Sequence, residues 1–135
     1  MAYLLDTNVW IVTLRGRNSL ISERIRLAPR PEDLLLCAVV KAELLHGAIR
    51  SDQPQRNLQA LEIIFKNYAS LPFDDNAAQK YAEVRAELEK LGRLIGPNDL
   101  MIAAIALASD LTLVTNNTSE FSRVSGLKLE DWQTP

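Results

Sequence analysis

The sequence predicts one α/β domain with a mostly parallel central sheet. Three observations carry that prediction. Short apolar runs of strand length alternate with longer segments of helical periodicity. Proline and glycine mark several of the boundaries between them. The chain has 135 residues, of which 47% are apolar, enough for a single normal core and about the size of one domain.

The elements follow in order. Tyr3 to Leu5 is an apolar run closed by Asp6-Thr7-Asn8, the pattern of a buried strand followed by a helix start. Leu20, Ile21, Ile25 and Leu27 give residues 19–27 an amphipathic helix, ended by Pro29 and Pro31. Leu34 to Ala38 is predicted as a second buried strand, and Lys41 to Ile49 as the next helix. Pro54 opens a helix with Leu58, Leu61, Ile64 and Phe65 on one side. Leu71-Pro72-Phe73 is a brief extended piece. Asp74 or Asp75 caps a helix that runs to Leu91, with Gly92 at its end. After Gly96-Pro97-Asn98, the segment Asp99 to Ala108 is apolar nearly all round and so belongs in the centre of the fold. Leu111 to Val114 and Leu127 to Leu129 are the last strands. Strand–helix alternation of this kind implies crossovers with helices on both faces of the sheet. The whole chain, residues 1–135, reads as one domain without repeats or linkers.

Composition narrows the function. A net charge of −2 argues against a nucleic-acid-binding surface spread over the whole molecule. A local basic patch remains open: Arg15, Arg17, Arg24, Arg26 and Arg30 fall close together, with Glu23 the only acid among them, and a solvated helix face explains them equally well. Cys37 is the only cysteine and lies in an apolar run, so it reads as a buried small hydrophobe. No intrachain disulfide is possible, which fits a reducing compartment. No run approaches the roughly 20 apolar residues that span a bilayer, and Asp6 interrupts the first apolar run too early for a signal peptide. The expectation is a soluble cytoplasmic protein that does not bind membranes. His46 is the only histidine, which excludes a histidine-rich zinc site. Phosphate-loop, dinucleotide-binding and nucleophile-elbow motifs are absent.

Four acids stand out because a packed core does not need them: Asp6, Glu43, Asp99 and Glu120. Each has a structural explanation beside the functional one. Asp6 and Asp99 are placed to cap helices or to complement a helix dipole. On a helix turning about 100° per residue, Leu44, Leu45, Ala48 and Ile49 share one side and Glu43 falls on the other, where contact with His46 or Arg50 is available. Asn117 and Glu120 have the spacing of a capping box. Asp6 and the turn of residues 116–120 follow strands directly, and ligands of parallel sheets bind at the carboxyl ends of strands. Whether Asp99 lies at that end is not decided by element order. If the four acids meet, they form an all-oxygen site whose mutual repulsion a hard divalent cation would relieve.

The ordered set is more specific than its members. Leu4-Leu5-Asp6-Thr7-Asn8, Ala42-Glu43-Leu44 with Gly47, Asp99 with Ile102-Ala103-Ala104, and Val114-Thr115-Asn116-Asn117 with Glu120-Phe121 together resemble the PIN-domain ribonucleases, and within them the VapC toxins of toxin–antitoxin modules. Ile95 to Asp99 and the ending Leu127 to Trp132 look like the VapC subgroup common in enteric bacteria. The resemblance implies a three-layer α/β/α sandwich with the acids at one end of the sheet. It implies that Asp6, Glu43 and Asp99 are the core Mg²⁺- or Mn²⁺-binding acids, and that Glu120 matches a fourth position often occupied by Asp. Thr7, Asn8, Thr115 and Asn116 match polar residues lining the site. The implied reaction is attack of water on an RNA phosphodiester, leaving 5′-phosphate and 3′-hydroxyl ends, with transfer RNA as the expected substrate class. Arg15, Arg17 and Arg24 are the candidates for phosphate contacts. The implied partner is a VapB-type antitoxin in an apolar groove to which Trp10, Ile11 and Leu14 contribute, although the same three residues suit an ordinary core. A homodimer, and a larger assembly with the antitoxin, are also implied. A non-catalytic binding module of the same fold, a flap-type DNA nuclease and a carboxylate–metal phosphatase are the alternatives.

Overall fold

The computed structural model describes residues 2–16, 19–28 and 30–134. Five parallel strands form one sheet: β1 (Tyr3–Leu5), β2 (Leu34–Cys37), β3 (Ser70–Leu71), β4 (Thr112–Val114) and β5 (Lys128–Glu130). Their order across the sheet is β3-β2-β1-β4-β5. The three inner strands are apolar along most of their length because helices cover both faces of a parallel sheet. Leu4, Leu5, Leu36, Leu113 and Val114 are fully buried. The edge strands β3 and β5 are short and partly exposed, which limits pairing with another sheet.

The helices are α1 (Thr7–Arg15), α2 (Ser19–Leu27), α3 (Ala38–Arg50), α4 (Pro54–Asn67), α5 (Asp75–Lys90), α6 (Pro97–Ala108) and α7 (Thr118–Phe121). The chain moves outward from β1 to β2 and β3, then crosses back to β4 and β5. With right-handed crossovers, this reversal puts α1 to α4 on one face and α5 and α6 on the other. The reversal point lies between β1 and β4, which pair in register from Tyr3 opposite Thr112 to Leu5 opposite Val114. Helices leaving adjacent strands for opposite faces open a crevice above the strand ends there.

Local chemistry explains most boundaries. Asp6 starts α1 by accepting the Thr7 N–H at 2.8 Å, and Gly16 ends it in the left-handed region at φ +62°. Asp74, not Asp75, caps α5 through the Ala77 N–H at 2.9 Å. Gly92 follows that helix at φ +66°. Pro97 occupies the first turn of α6, so this helix begins two residues before Asp99. The central placement expected of α6 is met: Leu100 and Ile102 to Ala106 are all buried.

Three sequence-based expectations need correction. β2 stops at Cys37, and Ala38 is already helical, so α3 starts three residues before Lys41. The extended piece after α4 is Ser70–Leu71, with Pro72 and Phe73 outside it. Leu45 and Ile49 are 37% and 62% exposed; α3 buries Val40, Leu44 and Ala48 instead. The predicted apolar side of α3 is thus wider than the strip the fold covers. Of the two readings open for Trp10, the core one holds: it is 1% exposed and stacked edge-on against Tyr68 at 4.9 Å. No helix among the described residues is long and apolar enough to cross a membrane.

Candidate active site

The site lies above the reversal point, and four elements deliver one acid each. Asp6 leaves the end of β1, Glu43 projects from α3, Asp99 sits in the first turn of α6, and Glu120 rides on α7 just after β4. Asp99 does reach the carboxyl end of the sheet: its neighbour Asn98 donates its amide to Glu43 at 3.3 Å.

Asp6 is the anchor. It is 6% exposed, with Thr7 N–H on one carboxylate oxygen and the Thr115 hydroxyl on the other at 2.8 Å. Burial raises its pKa above the ordinary carboxylate value; these two hydrogen bonds pull it back and the Glu43 charge adds to the rise. Glu43 is partly buried. It accepts the Thr7 hydroxyl at 2.6 Å and the Asn98 amide at 3.3 Å. Its partners therefore come from α1 and α6, not from His46 or Arg50 on its own helix. Thr7 joins two acids, Asp6 through its main chain and Glu43 through its side chain.

The other pair is different. The neighbour that bears on Asp99 from α7 is another acid, Glu120. Burial, then the charges of Asp6, Glu120 and Glu43, push the Asp99 carboxyl up to about 6. The capping box expected of Asn117 and Glu120 is not made: Asn117 makes no side-chain cap bond and donates its amide to Glu120 at 3.0 Å. Asn8 and Asn116, expected to line the site, are both exposed, and Asn116 donates at 3.4 Å to Gln133 of the C-terminal segment. The asparagine amides that reach the acids are those of Asn98 and Asn117. Each is one residue from a position the sequence singled out, and only the path of the backbone at the strand and helix ends distinguishes them.

The donor set suits a hard divalent cation. All donors are oxygen, and four acids in one crevice oppose one another's ionisation. Among the described residues no three of these groups stand close enough together to hold one ion as they lie.

The basic candidates separate. Arg15, exposed at the end of α1, lines a groove of about 750 Å³ between α1, α3 and α4. Glu43 lies at the margin of that groove, Ile11, Leu14, Leu44 and Leu61 give it apolar walls, and Arg56 adds a second cation. Arg24 is committed elsewhere, in an ion pair with Glu130 at 2.8 Å and over the Trp132 ring at 5.1 Å. Arg17 lies outside the described residues. Of the three predicted groove residues, Ile11 and Leu14 line the groove and Trp10 lies beneath it.

A parallel sheet with this strand order, carrying ordered acids above its reversal point, is the arrangement the PIN resemblance requires. Residues 3–127 match the PIN domain family, and the chain belongs to it. Within that family it belongs with the VapC ribonucleases. It is 39% identical over 132 residues to a tRNA(fMet)-specific endonuclease VapC of Shigella flexneri, covering 98% of each chain. The corresponding enzyme of Salmonella typhimurium is 36% identical over the same span and coverage. The DNA-bound VapBC complex of Salmonella typhimurium contains a chain that superposes with a TM-score of 0.91 at 36% identity, covering 98% of both chains. A VapBC complex of nontypeable Haemophilus influenzae also superposes at 0.91, with 33% identity, 99% of this chain and all of that one.

Proposed function

We propose that this protein is a VapC-type endoribonuclease toxin that hydrolyses RNA phosphodiester bonds with Mg²⁺ or Mn²⁺, and that a VapB-type antitoxin neutralises it. Convergence of Asp6, Glu43, Asp99 and Glu120 from four elements into one crevice carries the reading. Asp6, Glu43 and Asp99 would hold the ion, with Glu120 beside them. Bound there, it would supply the positive charge that activates a water and stabilises the phosphate under attack. The chain's own residues do the rest. Thr7 and Thr115 fix Asp6 and Glu43 so that the oxygens facing the crevice hold one orientation. Burial and the neighbouring acids raise the Asp99 carboxyl to about 6, and a cation held there would relieve that repulsion. Transfer RNA is the proposed substrate class, on the strength of the relatives' specificity, and the cytoplasm the proposed compartment. Arg15 is the proposed phosphate contact, at the margin of the crevice.

The groove beside Glu43 is the proposed antitoxin seat. Its apolar walls suit an amphipathic segment, and Glu43 is one of its lining residues. A homodimer is proposed as the working unit, joined with antitoxin into a larger assembly.

The decisive experiment is digestion of total RNA by antitoxin-free protein with Mn²⁺, with EDTA, and with Asp99→Asn in parallel. Discrete fragments only with Mn²⁺ and the wild-type chain are expected. Equal cleavage by folded Asp99→Asn would overturn the site, and equal cleavage in EDTA would overturn the metal requirement. For the groove, Leu14→Glu is expected to weaken antitoxin binding at least about tenfold with cleavage intact. Unchanged affinity by calorimetry would place the antitoxin elsewhere.

A further inference from the structure

We infer that Asn117 is a positioning residue that ties two of the acids to a single turn of backbone; the inference rests on the nuclease reading above. Asn117 precedes α7 and follows Thr115 by two residues. Its N–H donates to the Thr115 hydroxyl oxygen at 3.0 Å, and that hydroxyl donates to Asp6 at 2.8 Å. Its side-chain amide donates to one oxygen of Glu120 at 3.0 Å. One residue thus reaches Asp6 through its main chain and Glu120 through its side chain.

Helix capping does not explain this side chain. A capping asparagine turns its oxygen to an N–H of the first turn, and Asn117 makes no such bond. Only the NH₂ end can face a carboxylate without repulsion, so the chemistry of the pair fixes the amide's orientation. The need for a tether lies in Glu120 itself. Its stem has one more rotatable bond than an aspartate, and an unheld carboxylate would spread over several rotamers. Asn117 holds one Glu120 oxygen, so the carboxylate has a fixed place beside Asp99.

The test uses Asn117→Ala and Asn117→Ser in the full chain. Both keep the backbone N–H, so the path to Thr115 and Asp6 survives. Serine still caps a helix but is too short to reach Glu120. Two quantities are read: Mn²⁺ affinity of the protein without RNA, by electron paramagnetic resonance titration, and kcat with KM on RNA. Both variants are expected to bind Mn²⁺ about tenfold more weakly and to lose about tenfold in kcat, with KM changed less than about twofold. In a Glu120→Ala background, Asn117→Ala is expected to cost nothing further in Mn²⁺ affinity, because no side-chain oxygen is left to tether. Restoration of wild-type values by serine would reduce Asn117 to a helix cap and overturn the inference. So would wild-type Mn²⁺ affinity in the alanine variant, or an equal loss in both backgrounds. Failure of the wild-type chain to cut RNA would strike the nuclease reading alone, since the Mn²⁺ titration tests Asn117 without it.

Discussion

The two halves of the acid crevice are built on different principles. On the β1–α3 side, Asp6 and Glu43 are met by neutral donors: the Thr7 N–H and hydroxyl, the Thr115 hydroxyl and the Asn98 amide. On the α6–α7 side, Asp99 is met by another acid, and only Glu120 of that pair receives an amide, from Asn117. The first half is preset by these neutral donors. The second holds two like groups in partial burial, whose repulsion a proton or a cation between them relieves. A ligand that brings positive charge therefore changes the second half most. The first half serves as the fixed reference against which that change occurs.

The largest effect should be common to both halves. Asp6→Asn and Asp99→Asn each remove a charge on which cation binding depends while keeping side-chain size. Each is expected to lower the initial rate of Mn²⁺-supported RNA cleavage by at least about a thousandfold, with circular dichroism unchanged. Should Asp99→Asn lose less than about tenfold while Asp6→Asn is dead, the working site is the preset half alone, and the α6–α7 side takes no part in holding the ion.

Next in size is Thr7→Val, which acts only on the preset half. Valine has nearly the shape of threonine, and its N–H still reaches Asp6, but the 2.6 Å hydroxyl bond to Glu43 is lost. A fall in kcat of about tenfold is expected, with less than about 1 kcal/mol lost in urea unfolding. Unaltered kcat would mean that Glu43 is held by its helix and not by Thr7.

The halves also differ in how legible they were. Asp6 could be placed from the sequence because an acid closing a buried strand has one local geometry. Asp99 could be placed at a helix start because Pro97 fixes the first turn. What remained hidden depended on other segments. Periodicity gave the side of α3 that carries Glu43, but not that the opposite side would leave Leu45 and Ile49 uncovered. Local spacing fitted a capping box at Glu120 because a cap requires only four residues. Tertiary placement beside Asp99 selected a different bond. Arg24 belonged to a basic cluster in sequence, yet Glu130 and Trp132, more than 100 residues later, claim it in space. Sequence order identified which acids belong together, and long-range contacts decided which neutral groups hold them.

A pH series separates the halves by stability instead of rate. Asp99 in the folded chain has its pKa raised from the ordinary 3.8 to about 6, so the native state binds this proton more tightly than the unfolded state does. Its stabilising contribution is complete below about pH 4 and is lost as pH rises through about 6. A shift of that size corresponds to about 3 kcal/mol for a fully buried group. Partial exposure of Asp99 reduces this to about 1 kcal/mol. In EDTA, the wild-type midpoint of thermal unfolding is therefore expected to fall relative to that of Asp99→Asn between pH 4 and 7, and Mg²⁺ is expected to restore it. Parallel curves for the two proteins would show that Asp99 is not strained by its neighbours.

The smallest effect tests whether the preset half stays closed. Cys37 ends β2 directly beneath that half, is fully buried, and feels the charges of both Asp6 and Glu43. Burial comes first among the causes that raise its thiol to about 11, and the two carboxylates add to it. At neutral pH the reactive thiolate is then scarce, and no reagent reaches the sulfur without opening of the strand ends. Iodoacetamide is expected to label native protein at least about a hundredfold more slowly than urea-unfolded protein. The rate should be the same with and without Mn²⁺, because the hydrogen bonds from Thr7, Thr115 and Asn98 already hold that half closed. Labelling that slows markedly on adding Mn²⁺ would show the preset half opening in the free protein and closing around the ion, and rigidity would then have to be assigned to the α6–α7 side instead.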